Sequence, residues 1–145
     1  MRFEQPDTKM KVILDTNIWI SFLIGHLSLF MRRLLTDARF DVWVCRELIL
    51  EIKSVASRDK IRKYVSESDI IDLLTIIHAF CKSAPITSEI QQEAVRDPKD
   101  LYLLAFAETI EADFIVSGDS DLTSLENYQR TKIMRIADFK EMMQL

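Results

Sequence analysis

The chain has 145 residues, 48% hydrophobic and 29% charged, with a net charge of −4. That length predicts one domain with a sizeable core, and the composition is that of a soluble globular protein. The acidic balance excludes the global basic signature of many nucleic-acid binders and leaves room only for a local patch. The two cysteines, Cys45 and Cys81, lie outside any CxxC spacing; this argues against a disulfide scaffold or zinc site and for reduced thiols in a cytoplasmic protein.

Residues 1–9 lack the apolar centre of a signal peptide and read as a flexible polar extension, with one domain over residues 10–145. Residues 11–15 form a first strand, apolar on both faces as a buried parallel strand requires. From Asn17 the period turns helical, with Ile18, Phe22 and Leu23 on one face. The apolar run 18–24 is too short to span a bilayer. Gly25 breaks this helix, and residues 27–37 form a second one carrying Leu27, Phe30, Met31, Leu34 and Leu35. A strand follows at 40–44, a helix at 46–57, and a charged connector or short helix at 58–64.

The spacing of Ile70, Leu73, Leu74, Ile77 and Phe80 predicts a helix over 66–81. Pro85 and Ile86 read as a short edge strand, and 89–96 as loop or a helical turn. Asp97-Pro98 then opens a helix, with Asp as N-cap and Pro at the first helical position. Its stretch 101–110 is so apolar that it must be buried. Residues 114–117 are a central strand, Gly118 a turn, 119–125 a short helix, 132–134 a last strand and 137–143 a final helix. Strands alternating with helices predict a three-layer α/β/α sandwich around a central, mainly parallel sheet with right-handed crossovers.

Two strings carry the chemistry: VILDTN at 12–17 and FIVSGDSDL at 114–122. Each runs an apolar strand into aspartate, at Asp15 and at Asp119 and Asp121. In one parallel sheet these carboxyl ends share an edge, where open α/β folds place their sites. Carboxylates 4 Å apart repel by roughly 4 kcal/mol at an effective dielectric of 20, so such a cluster requires a proton or a cation.

Each acidic residue also has an ordinary role. Asp15 could cap the first helix, although Asn17 is the better-placed cap. Glu51 could lie on the solvated face of its helix. Asp100 could favour a helix dipole or complete a capping box with Asp97, and Asp119 could cap a short helix with Asp121 in its first turn. Asp15, Glu51, Asp100 and Asp119 together at one sheet edge suit Mg²⁺- or Mn²⁺-dependent phosphoryl transfer, since hard cations take oxygen ligands. His26, after a glycine break, and His78, in an apolar helix, read as structural. The chain has no GxxxxGK[ST] and, with two glycines, no GxGxxG; a GxSxG elbow is missing too.

In order along the chain, LDTNIWISFL, ELILEI, RDPKDLYLLAFAETIEADFIV and SGDSDL resemble the motifs of the PIN-domain family of metal-dependent ribonucleases. Within it they look most like the toxins of toxin–antitoxin pairs related to VapC. The match runs from Lys11 to about Phe139. The resemblance implies a central parallel sheet, a Mg²⁺ or Mn²⁺ site, and endonucleolytic cleavage of single-stranded or structured RNA by in-line attack of water, leaving a 5′-phosphate and a 3′-hydroxyl. By position, Asp15, Glu51, Asp100 and Asp119 are the acidic quartet. Asp15, Asp100 and Asp119 would face the metal, with Glu51 binding directly or through water. Asp121 is a supporting carboxylate, and Asn17 and Ser117 match polar positions that orient the cluster. A cognate antitoxin and a homodimer are implied as partners, and no membrane.

An RNA substrate needs cations around an acidic hole. Lys53, Arg58, Lys60, Arg62 and Lys63 could supply phosphate contacts or form a solvated connector; Arg32 and Arg33 are a second patch. Trp19 and Trp43 could stack on bases, with core or dimer packing the better reading. Two rivals share this pattern. A non-catalytic PIN-fold RNA-binding or assembly subunit is disfavoured by the intact quartet. A phosphorylated receiver would want adjacent carboxylates after the first strand and a lysine ending a late strand, whereas VILDTN has one aspartate and Lys132 opens its strand.

Overall fold

The computed structural model describes residues 9–89 and 100–145. Within them the chain runs β1 (Met10–Leu14), α1 (Thr16–Leu23), α2 (Ser28–Leu35), β2 (Phe40–Val44), α3 (Arg46–Ala56), α4 (Asp59–Arg62) and α5 (Glu67–Phe80). It continues through β3 (Lys82–Ser83), α6 (Leu101–Ile110), β4 (Phe114–Val116), α7 (Ser120–Thr123), β5 (Asn127–Tyr128), β6 (Thr131–Met134) and α8 (Ile136–Met143). The N-terminal extension to residue 8, the Asp97-Pro98 helix start and nearly all of the expected loop at 89–96 lie outside the described residues.

The strands form one sheet in the order β3-β2-β1-β4-β6-β5. All neighbours are parallel except β5 and β6. β1 and β4 are central, and Val12, Ile13, Leu14, Ile115 and Val116 are fully buried, which explains their apolar character on both faces. The register sets Met10 beside Phe40 and Val12 beside Phe114. Alternation along a strand therefore turns Phe40 and Phe114 to one face. There both rings meet Phe139 of α8, at centroid distances of 5.7 and 5.4 Å, and Phe30 of α2 meets it edge-on at 6.2 Å.

The opposite face is covered by α6, where the Lys11 ammonium donates to the Ile110 carbonyl at 2.8 Å. Right-handed crossovers from β1 to β2 and from β3 back to β4 put α1 and α6 in different layers. The three-layer expectation holds. No single helix among the described residues is long and apolar enough to cross a membrane.

Three expectations need correction. The edge strand is Lys82–Ser83, paired with Trp43 and Val44, and not Pro85–Ile86: proline has no N–H for a ladder. The hairpin strand β5 has no signal in the sequence, because its turn, at Gln129 and Arg130, has no glycine. Gln129 nonetheless takes φ 54° and Glu126 φ 64°. Finally, α1 starts at Thr16 with Asp15, not Asn17, as its N-cap.

Candidate metal centre

Register builds the centre. Leu14 pairs with Val116, and Val116 with Met134. The residues just beyond these strand ends, Asp15, Ser117 and Arg135, therefore stand side by side along the carboxyl edge. The ladder continues one step past the strands, through Asp15 N–H to the Val116 carbonyl at 2.9 Å and Ser117 N–H to the Met134 carbonyl at 3.0 Å.

Asp15 is buried, and both its oxygens have donors: the Thr16 amide on Oδ1 and the Ser117 hydroxyl on Oδ2, each at 2.7 Å. Burial raises its pKa above the ordinary carboxylate value. These two hydrogen bonds oppose the rise, and the charges of Glu51 and Asp119 add to it. The carboxyl thus resists ionisation unless positive charge arrives. Ser117 is fully buried and also receives the Asp119 amide on its hydroxyl oxygen at 2.9 Å.

Asp119 caps α7, its Oδ1 accepting the Asp121 amide at 2.9 Å. Asp100 occupies the N-cap position of α6 without capping it through its side chain, and is buried. Asp100, Asp119 and Asp121 converge: one carboxylate oxygen from each lies within 4.8 Å of the others. Oxygens around a small hard cation stand ~2.1 Å from it and up to ~4.2 Å apart. The all-oxygen set lies close to that range, so the residues fit Mg²⁺ or Mn²⁺ and lack the sulfur and imidazole ligands that zinc favours. Asp121, read from the sequence as support, belongs to this group on the same terms as Asp100 and Asp119.

Glu51 enters from α3, half-buried. Its Oε1 accepts the Thr16 hydroxyl at 2.8 Å and the Tyr102 hydroxyl. Burial first, then the hydrogen bond to the Glu51 carboxylate and its charge, raise the Tyr102 pKa far above its ordinary value, so the phenol stays a donor. Neither Thr16 nor Tyr102 was singled out by the sequence. Thr16 sits inside VILDTN, between the strand-ending aspartate and the start of the helical period, where the sequence alone gives its hydroxyl no partner. Tyr102 sits in an apolar run read wholly as core, where one hydroxyl is the only signal.

The remaining candidates fall elsewhere. Asn17 is exposed in the first turn of α1 and makes no side-chain hydrogen bond with the described residues. Lys53, Arg58, Lys60, Arg62 and Lys63 are all exposed. Lys53 lies two residues, or about 200°, around α3 from Glu51 and so points away from it. Among the described residues, a cation that reaches this edge is Arg135, exposed, with Nη1 3.4 Å from the Gly118 carbonyl. Arg32 and Arg33 are exposed on α2.

Trp19 is fully buried in the core, and Trp43 lies under the Lys11 ammonium at 5.7 Å. His26 and His78 are exposed, not core residues. Burial pushes the Cys45 thiol up to about 11 and the Cys81 thiol up to about 12, which keeps both protonated.

The family model of the PIN domain matches residues 11–121. The chain also resembles solved structures. VapBC2 from Rickettsia felis, bound to a promoter DNA fragment, is 13% identical, with a TM-score of 0.59 over 86% of this chain and 97% of that one. VapC20 of Mycobacterium tuberculosis, described as a sarcin–ricin loop cleaving toxin, is 12% identical, with a TM-score of 0.56 over 83% and 98%. PAE2754 from Pyrobaculum aerophilum is 11% identical, with a TM-score of 0.57 over 96% and 94%. At these identities the likeness is one of fold. Comparison with curated proteins finds no significant match.

Proposed function

This chain belongs to the PIN-domain family, and from that premise we propose that it is a metal-dependent endoribonuclease, the toxin of a toxin–antitoxin pair acting in the cytoplasm. The observation that carries the reading is the convergence of Asp100, Asp119 and Asp121 within 4.8 Å beside a buried Asp15. Three carboxylates at that spacing repel one another, and a bound cation would offset the repulsion.

Asp100, Asp119 and Asp121 would hold a Mg²⁺ or Mn²⁺ ion, with Asp15 and Glu51 completing the set directly or through water. Such an ion, when bound, neutralises charge on a scissile phosphate and activates water. The chain's own part is to hold the carboxylates still. Ser117 fixes Asp15 against the Asp119 backbone, and Thr16 fixes Asp15 with its amide and Glu51 with its hydroxyl. Arg135 would meet a substrate phosphate at the rim. Lys53, Arg58, Lys60, Arg62 and Lys63 would contact the RNA backbone farther out.

The likeness to a loop-cleaving toxin supports RNA as substrate, and the likeness to VapBC2 supports a protein antitoxin. The test is RNA cleavage with added Mg²⁺ or Mn²⁺. Chelator should stop it, and Asp15→Asn or Asp119→Asn should abolish it in a folded protein. Cleavage indifferent to chelator and to both substitutions would overturn the reading.

A further inference from the structure

Glu51 and Tyr102 come from different layers, α3 and α6, and meet over the carboxyl edge of the sheet. The meeting is selective: Thr16 and Tyr102 both donate to the same oxygen, Oε1. A carboxylate oxygen offers about two lone-pair sites, so Oε1 is filled and Oε2 is left as the carboxylate's other acceptor. Tyr102 is also two residues past Asp100 on the first turn of α6. Any movement of the Asp100 end of that helix is therefore felt at Glu51.

We propose that Tyr102 is a positioning residue which, with Thr16, locks Glu51 by Oε1 and leaves Oε2 as the single oxygen offered to a divalent cation or its water. The proposal rests on the metal-dependent reading above. A glutamate on a helix has three side-chain torsions to fix before it can bind. Holding one oxygen by two rigidly placed hydroxyls removes that freedom before the cation arrives. Tyr102→Phe would keep the ring and lose only the donor, so packing and positioning can be separated. Partners that orient a ligand in this way typically affect metal affinity or activity by about 10–100-fold when removed.

The experiment is Mn²⁺ binding by titration calorimetry on wild type, Tyr102→Phe, Glu51→Gln and the double variant, with RNA-cleavage kinetics alongside. Tyr102→Phe should weaken Mn²⁺ binding about tenfold or more and lower kcat while leaving KM for RNA unchanged. On the Glu51→Gln background it should add less than about twofold, because its effect passes through Glu51. Thr16→Val, which frees the same oxygen, should reproduce the loss and serves if Tyr102→Phe folds poorly. Wild-type-like Mn²⁺ affinity in Tyr102→Phe, or an undiminished effect without Glu51, would overturn the proposal alone. A wild-type protein that binds no Mn²⁺ would overturn the nuclease reading and the proposal with it.

Discussion

Ser117 donates its hydroxyl to Asp15 Oδ2 at 2.7 Å across 102 positions of sequence, and its oxygen accepts the Asp119 amide at 2.9 Å. One buried side chain thus joins the two aspartate-ended strands. Ser117→Ala leaves a carboxylate oxygen and an amide without that partner. It should destabilise the protein by about 1–3 kcal/mol in urea unfolding. A change under about 0.5 kcal/mol, the range of ordinary surface substitutions, would show that the hydroxyl does not bind the strand ends together.

Asp15 sets a pH dependence. Its folded-state pKa is raised, chiefly by burial, so the folded protein binds this proton more tightly than the unfolded chain. The stability it contributes is present below the unfolded pKa and is lost as pH rises through the folded one. Asp15→Asn removes the titration. Its thermal midpoint relative to wild type should therefore climb as pH rises from about 4 to about 7. Mn²⁺ at neutral pH should narrow the gap by stabilising wild type. A midpoint difference that is flat with pH would contradict this.

Much of this arrangement is legible in the sequence, for a physical reason. Central strands such as residues 12–14 and 114–116 are buried on both faces, so they must be continuously apolar, and aspartate within three residues of their ends, at Asp15 and Asp119, marks the sheet edge. Asp15 as N-cap is less legible, because Asn17 looks the better-placed cap in the sequence and only register decides where the strand stops. Convergence is the other hidden quantity. Nothing in the spacing of Asp119 and Asp121 tells that both reach Asp100, and nothing in an apolar helix tells that the Tyr102 hydroxyl turns towards Glu51. Among the basic residues, the dense run at 58–63 draws notice in the sequence, whereas Arg135 is an isolated arginine whose place at the sheet edge follows only from the register of β6.

Phe139 tests the layer beneath the sheet. It is fully buried and its ring meets Phe30, Phe40 and Phe114. Phe139→Ala should cost about 3–5 kcal/mol in denaturant unfolding. A loss below about 1 kcal/mol would mean that α8 does not hold α2 against the strands.

Arg135 tests the rim. Arg135→Ala should weaken RNA binding and reduce the slope of log affinity against log salt by about one, as loss of one phosphate contact does. An unchanged slope would place the substrate phosphates elsewhere.

The most direct measurement is anomalous diffraction from a Mn²⁺-soaked crystal. The account predicts a peak at the carboxyl edge between β1 and β4, about 2.1 Å from oxygens of Asp100, Asp119 and Asp121. Density for Glu51 should face it with Oε2, while Oε1 stays on Thr16 and Tyr102. A Mn²⁺ peak bound elsewhere, or this edge left without one at saturating Mn²⁺, would contradict it.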